Sequence, residues 1–203
     1  GSEPHIASLH ALHDRVDWRW CVSRSGAPQR QRLLPGSIRL TTDLNEVLAD
    51  AAVDAVVLAT PANTHLAIAR QVLAAGKHTL VEKPLDVSLE RAEELVRIAE
   101  ASKLCFGVVL QHRFRPGAVR LRELLASGAL GELQAGMLQV PWWRSQAGYY
   151  DQAGRGTRER DGGGVLLTQA IHSLDLFRSF VGVRKVVAAQ VITTALHSME
   201  TED

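Results

Sequence analysis

The stretch from Val53 to Leu110 does most to limit the fold, because strand-like and helix-like segments alternate along it. Val53 to Ala59 is a β-branched apolar run suited to a strand buried on both faces, and Thr60-Pro61-Ala62-Asn63-Thr64 breaks it. His65 to Ala75 is spaced as a helix and stopped by Gly76, after which Thr79 to Val81 reads as the next strand. Ser88 is placed to cap a helix through about Ser102, and Leu104 to Leu110 is another buried strand. Strand and helix alternate, so the sheet is expected to be parallel.

The flanks extend this pattern and then end it. Trp18 to Val22 reads as a short strand and Arg39 to Thr41 as a weaker one, followed by the capping box Asp43-Leu44-Asn45-Glu46 and a helix to about Ala51. The rhythm changes near Gln111 to Pro116, which suggests two domains, 1–112 and 113–203. Beyond it come a helix from about Ala118 to Ala126 closing on Ser127-Gly128, and a strand from Glu132 to Val140. A long polar loop from Trp143 to Asp161 follows, of a length usually functional or mobile. Gly162-Gly163-Gly164 leads into a helix from Val165 to Val181, and Val186 to Leu196 resumes as strand. No strand with a Gly-x-Gly-x-x-Gly turn precedes the first helix, and the last strand is followed directly by Glu202-Asp203. The sequence therefore reads as a segment of a longer protein.

Charge and cysteine usage narrow the function classes. The formal net charge is +1 with both signs interspersed, which leaves no electrostatic footprint for nucleic acid or an anionic membrane. Cys21 and Cys105 fall inside apolar runs, as buried reduced thiols of a cytoplasmic protein would, and neither has a metal-binding pattern beside it. No stretch approaches the ~20 apolar residues of a membrane span.

Glu82-Lys83-Pro84 stands where the Thr79–Val81 strand ends, and open α/β sheets bind ligands beyond the carboxyl ends of their strands. Lys83 and His172 can each hold or exchange a proton, and the sequence leaves open which would act as a base. His172 lies beside the apolar stripe of Leu167, Ile171 and Leu174, the setting of an ordinary core histidine, with Gln169 and Asp175 on its helix face to hold the ring.

Taken in order, Thr60-Pro61-Ala62-Asn63-Thr64-His65, Glu82-Lys83-Pro84, Gln111-His112-Arg113-Phe114-Arg115-Pro116, Ser127-Gly128-Ala129-Leu130-Gly131, Gly162 to Leu166 leading to His172, and Glu200 to Asp203 resemble the Gfo/Idh/MocA family. This is the family of glucose-fructose oxidoreductase, inositol dehydrogenase and the rhizopine-catabolism protein. The resemblance implies a Rossmann-type, doubly wound parallel sheet lacking its first strand. An incomplete α+β domain built on a large, mostly antiparallel sheet would follow, which often forms a dimer or tetramer interface. It implies an NAD(P)-dependent dehydrogenase or reductase acting on the CH-OH group of a sugar, polyol or sugar derivative, with Lys83 and His172 as the catalytic pair. Where the family often has an aspartate four residues before the histidine, this chain has Thr168.

Ser23-Arg24-Ser25 after the first strand favours NADP over NAD, since small hydroxyls with an arginine accommodate the extra phosphate. Thr60, Pro61, Asn63 and His65 would line the cofactor, with Glu82, Lys83 and Arg113 added by resemblance. Tyr149, Tyr150, Arg155, Thr157, Gln169 and His172 are the expected substrate contacts, and the glycine triplet is expected to let substrate approach closely. The alternatives are an NAD-dependent glycoside hydrolase of the same fold and a noncatalytic NAD(P)-binding sensor.

Overall fold

A computed structural model describes residues 3–23 and 34–203. Helix α1 (Glu3–Ala11) precedes strand β1 (Trp20–Val22), which pairs in parallel with β2 (Arg39–Thr41) with Cys21 opposite Leu40. Helix α2 (Leu44–Ala49) is capped by Asp43, whose carboxylate accepts the Asn45 amide at 2.8 Å. The expected capping box closes through an intermediary: the Asp43 N–H donates to the Thr41 hydroxyl, which donates to Glu46, each at 3.0 Å.

The alternating stretch folds as a second parallel sheet in the order β3 (Ala55–Leu58), β4 (His78–Val81), β5 (Phe106–Val108). Its register sets Leu58 opposite Val81 and Val81 opposite Val108. Helix α3 (His65–Ala74) and helix α4 (Leu89–Ser102) cross over between these strands. Ser88 caps α4 by accepting the Arg91 N–H. At the far end of α3, Gly76 takes the left-handed φ of +75°, which costs glycine no Cβ clash.

Leu66, Ala69, Val72 and Leu73 of α3 meet Leu95 and Ala99 of α4 over Leu58 and Val81, and this is the main core. Burial of β3 on both faces is not what forms. Val57 is 39% exposed and Leu80 40%, because both crossover helices lie on the side of Leu58 and Val81. Nor is Cys105 buried: it precedes β5 and is exposed, whereas Cys21 is half-buried.

After a 3-10 turn at Gln111–Phe114, helix α5 (Pro116–Ala126) begins with proline in its first turn. A π-helical turn (Gln146–Tyr150) and the short helix α6 (Arg158–Asp161) order the expected long loop. A second π-helical turn (Leu166–Ala170) runs into helix α7 (Ile171–Val181). The strands expected over Glu132–Val140 and Val186–Leu196 join no sheet among the described residues, where only parallel sheets occur. An extended segment becomes a strand only where a neighbour takes its N–H and C=O groups. These two leave Met137 82% and Val187 89% exposed, while Gly136 approaches the Phe177 ring of α7 so closely that a Cβ would sit 3.0 Å from it. Among the described residues no helix is long and apolar enough to cross a membrane.

Two glycines of the triplet, Gly162 and Gly164, are required by backbone packing. A Cβ on Gly162 would lie 2.5 Å from the Val87 carbonyl oxygen, and one on Gly164 would lie 1.8 Å from that of Glu202. The latter carbonyl accepts the Val165 N–H at 3.0 Å, and the Glu200 N–H donates to the Gly156 carbonyl at 3.0 Å. Residues 200–203 are thus strapped across the 156–166 segment. Gly164→Ala must move one backbone off the other, so a loss of at least about 2 kcal/mol is expected, as overpacking produces. A urea midpoint unchanged from wild type would count against this packing.

Candidate active site

Parallel register brings the chain out of β3 and β4 at one edge of the sheet, with Thr60 to Thr64 beside Glu82 and Lys83. His65, at the start of α3, fixes the two turns together. It is fully buried, its Nε2 lies 2.9 Å from the Thr60 carbonyl, and its Nδ1 lies 3.1 Å from that of Pro84. A ring so enclosed braces the site and does not reach a ligand, which corrects its expected place in the cofactor lining. Asp86 adds a second brace. Its buried carboxylate accepts the Leu66 N–H, the Val87 N–H and the Arg91 guanidinium, and Arg91 also donates to the Asn63 carbonyl at 3.0 Å. Asn63 is half-buried and Thr60 and Pro61 are exposed along this edge.

Lys83 is half-buried, and the peptide bond to Pro84 is cis. Its ammonium donates to the Thr168 carbonyl at 2.6 Å, so the position where a side-chain carboxylate was expected by resemblance supplies a main-chain oxygen instead. Burial holds the Lys83 pKa below its ordinary value, against the opposing pull of the Glu82 carboxylate. Glu82 in turn accepts the Lys83 N–H at 3.0 Å and lies 2.6 Å from His5 Nε2 on α1.

His172 enters the same space from α7 and is 9% exposed. Burial lowers its pKa to about 4, with the Lys83 and His112 charges acting in the same direction. Its Nδ1 is buried and has no hydrogen-bond partner among the described residues. Gln169 and Asp175 do not hold the ring as the helix spacing suggested. Gln169 donates to the Tyr150 hydroxyl at 2.9 Å, and Asp175 takes the Arg113 guanidinium through Nε at 2.5 Å and through Nη2. Arg113, expected at the cofactor, is anchored to α7 by this pair while its side chain stays 40% exposed. A neighbour that the sequence reading passed over is His112, whose ring centroid lies 5.0 Å from that of His172. The run Gln111–Pro116 had flagged the segment without singling out that residue.

The loop residues meet beside this pair. Tyr150 is buried and packs edge-on to Tyr149 at 5.0 Å, and burial raises the pKa of its hydroxyl. The Arg155 guanidinium lies 4.8 Å from the Tyr149 ring centre and 3.6 Å from Asp161. Thr157 instead caps α6, its hydroxyl accepting the Arg160 N–H and donating to the Gly154 carbonyl. His197 was also missed. It stacks near Tyr150 and Trp143, with Nε2 2.8 Å from the Arg144 carbonyl. Ser23 is buried at the end of β1, and Arg24 lies outside the described residues. Among the described residues no group of three or more His, Cys, Asp or Glu is placed to hold a metal ion.

An amine and an imidazole, both partly desolvated and near enough for the lysine's charge to lower the imidazole's pKa, can hold a hydroxyl oxygen and take its proton. That donor set fits the nicotinamide end of a dinucleotide and an alcohol carbon next to it.

Comparison with known proteins accords with this chemistry. The family model described as "Oxidoreductase family, NAD-binding Rossmann fold" matches residues 2–110, and the GFO/IDH/MocA C-terminal domain matches residues 118–203. D-xylose dehydrogenase of Paenarthrobacter nicotinovorans is 31% identical over 75% of this chain and 40% of its own length. Inositol 2-dehydrogenase of Rhizobium meliloti is 30% identical over 89% of this chain and 53% of its own. The WlbA dehydrogenase of Bordetella pertussis, solved with NADH and UDP-GlcNAcA, superimposes with a TM-score of 0.90 at 30% identity, covering all of this chain and 58% of that one. The chain spans about half the length, or less, of the curated relatives it matches.

Proposed function

The chain belongs to the Gfo/Idh/MocA oxidoreductases with an NAD-binding Rossmann fold, and from that premise we propose that the whole protein moves a hydride between a nicotinamide cofactor and a hydroxyl carbon of a sugar, polyol or sugar derivative. The observation that carries this reading is the pairing of Lys83, at the strand end, with the buried His172, whose Nδ1 has no hydrogen-bond partner among the described residues. The names of the xylose and inositol dehydrogenases support a sugar or polyol as substrate. Residues 1–112 would form the cofactor half and 113–203 the substrate half, in a cytoplasmic homo-oligomer. Ser23-Arg24-Ser25 supports NADP, while the relative solved with NADH supports NAD.

When bound, the nicotinamide supplies the hydride acceptor or donor. Thr60, Pro61 and Asn63 would hold that end of the cofactor against the strand edge. His172 takes the hydroxyl proton, because burial keeps its imidazole neutral at physiological pH. Lys83, pinned by Thr168, donates to the substrate oxygen and keeps it in line with His172.

The test is NAD(P)H formation by the full chain with a panel of sugars and polyols, followed as a function of pH. With its pKa lowered to about 4, His172 becomes protonated only near that pH. The acid limb of kcat/KM is therefore expected near pH 4 rather than near the ordinary histidine value of about 6.5. An acid limb at the ordinary value would remove His172 as the proton acceptor, and no cofactor reduction with any member of the panel would contradict the dehydrogenase reading.

A further inference from the structure

An imidazole that exchanges a proton at one ring nitrogen is ordinarily oriented by a hydrogen bond to the other. His172 has no such bond at Nδ1, which is buried and unpartnered among the described residues. Its neighbours in sequence are engaged elsewhere: the Thr168 carbonyl takes the Lys83 ammonium, Gln169 donates to Tyr150, and Asp175 takes Arg113. The ring contact that the structure does give His172 is His112, with centroids 5.0 Å apart and planes inclined by 33°.

That contact is held from two sides. Arg113, the residue after His112, donates to Asp175 through Nε at 2.5 Å and through Nη2, and Asp175 stands one turn after His172 on α7. The Arg113 carbonyl accepts the Arg122 guanidinium of α5 at 3.0 Å. The 3-10 turn is thus fixed between α5 and α7, and the half-buried His112 ring covers His172, which is only 9% exposed. Two imidazoles this close, and partly out of water, repel when both are charged. The charges that oppose protonation of His172 are those of Lys83 from the strand end and of His112 and Arg115 from the turn, with Glu82 pulling the other way. Arg115 also opposes charge on His112, and the Asp175 carboxylate is matched by Arg113.

We propose that His112 is a positioning residue for His172: its ring, seated on the imidazole, fixes the plane in which that imidazole accepts the hydroxyl proton, and its charge keeps the pair from holding two protons at once. This rests on the dehydrogenase reading for what His172 does, whereas the ring contact and the shared titration belong to the folded chain. Contact between ring faces orients an imidazole without occupying a ring nitrogen, so the proton-accepting atom stays open. His112 need touch neither substrate nor cofactor for this. A ring that only filled space against α7 would add to stability and leave the pH dependence of His172 where it was.

The experiment compares the full wild-type chain with His112→Phe, which keeps a ring, and His112→Ala, which removes it. The first reading is the titration of the His172 ring by NMR of its labelled nitrogens, assigned by loss of the signal in His172→Ala, and it needs no turnover. The midpoint lies at about 4 in the wild type and is expected to move upward in His112→Phe, where the ring stays and the charge is gone. The second reading is turnover of the best sugar or polyol. His112→Ala is expected to lower kcat about tenfold or more with KM changed less than about twofold, and His112→Phe to restore kcat to within about threefold of wild type. An unmoved midpoint in His112→Phe overturns the proposal, and where His112→Ala does not fold that titration decides by itself. Wild-type kcat in His112→Ala with a wild-type urea midpoint overturns it equally, as does a His112→Phe protein no faster than His112→Ala. Failure of the dehydrogenase reading would look different: no turnover of any sugar or polyol by the wild type, with a His172 midpoint that still responds to His112→Phe.

Discussion

Lys83→Met is expected to leave nicotinamide binding within about twofold of wild type while lowering kcat by roughly a thousandfold, the range of a positioned acid–base group. Methionine keeps the length and packing of the lysine stem but ends the donation to Thr168 and to the substrate oxygen. The largest cause of the lowered Lys83 pKa is burial, so the ammonium is an unusually willing proton donor at the strand end. Removing its charge also relieves His172, whose low pKa owes most to burial and next to Lys83. Residual activity in the variant should therefore show its acid limb shifted upward from about pH 4. Full turnover in Lys83→Met would remove the residue from the chemistry.

The largest effect on stability is expected at Asp86. Its side chain is fully buried and meets three obligations at once, accepting the Leu66 N–H at 3.1 Å, the Val87 N–H at 2.7 Å and the Arg91 Nε at 2.5 Å. Asp86→Ala strands two main-chain donors and one partner of an ion pair. Each orphaned donor costs about 1–3 kcal/mol and a broken buried pair about 3–5 kcal/mol. Arg91 is 38% exposed and can turn to water, which puts the expected loss near 3 kcal/mol, toward the low end. Cofactor affinity should fall as well, because Arg91 carries the Asn63 carbonyl. A loss below about 1 kcal/mol in urea unfolding would show that the brace is not needed.

The β3–β5 unit was legible because several local signals agree there: apolar runs of strand length, Asp43 and Ser88 as caps, and Gly76 as a stop. The same signals were silent about sides. A β-branched run reports that a strand is apolar, not which face a helix will cover, and so the exposure of Val57 and Leu80 was not read. The second half was less legible because its segments depend on distant partners. Glu132–Val140 has a strand's alternation, but alternation does not supply a neighbouring strand.

The site was legible as a set of residues and less so as a set of roles. Lys83 and His172, the pair that the resemblance implied, lie near enough for the lysine's charge to lower the pKa of the imidazole. His65 and Thr157 have the right chemistry for ligands but are engaged by carbonyls and by a helix cap, and Arg113 is anchored by Asp175. Polar residue type alone cannot tell a side chain that faces a ligand from one that closes a turn. Asp86 gave one local hint, an acid between Leu85 and Val87, and His112 gave none apart from its place in the Gln111–Pro116 run.

The central claim is that a hydride passes between carbon and nicotinamide beside the Lys83–His172 pair. The most direct measurement is isotopic: the full chain turns over a sugar substrate carrying deuterium on its reacting CH-OH carbon, and the recovered cofactor is read by mass spectrometry. One deuterium on the nicotinamide ring, at one equivalent per substrate oxidised, is the predicted result. Turnover with no label on the recovered cofactor, as a hydrolase that returns its hydride each cycle would give, is the result that would contradict it.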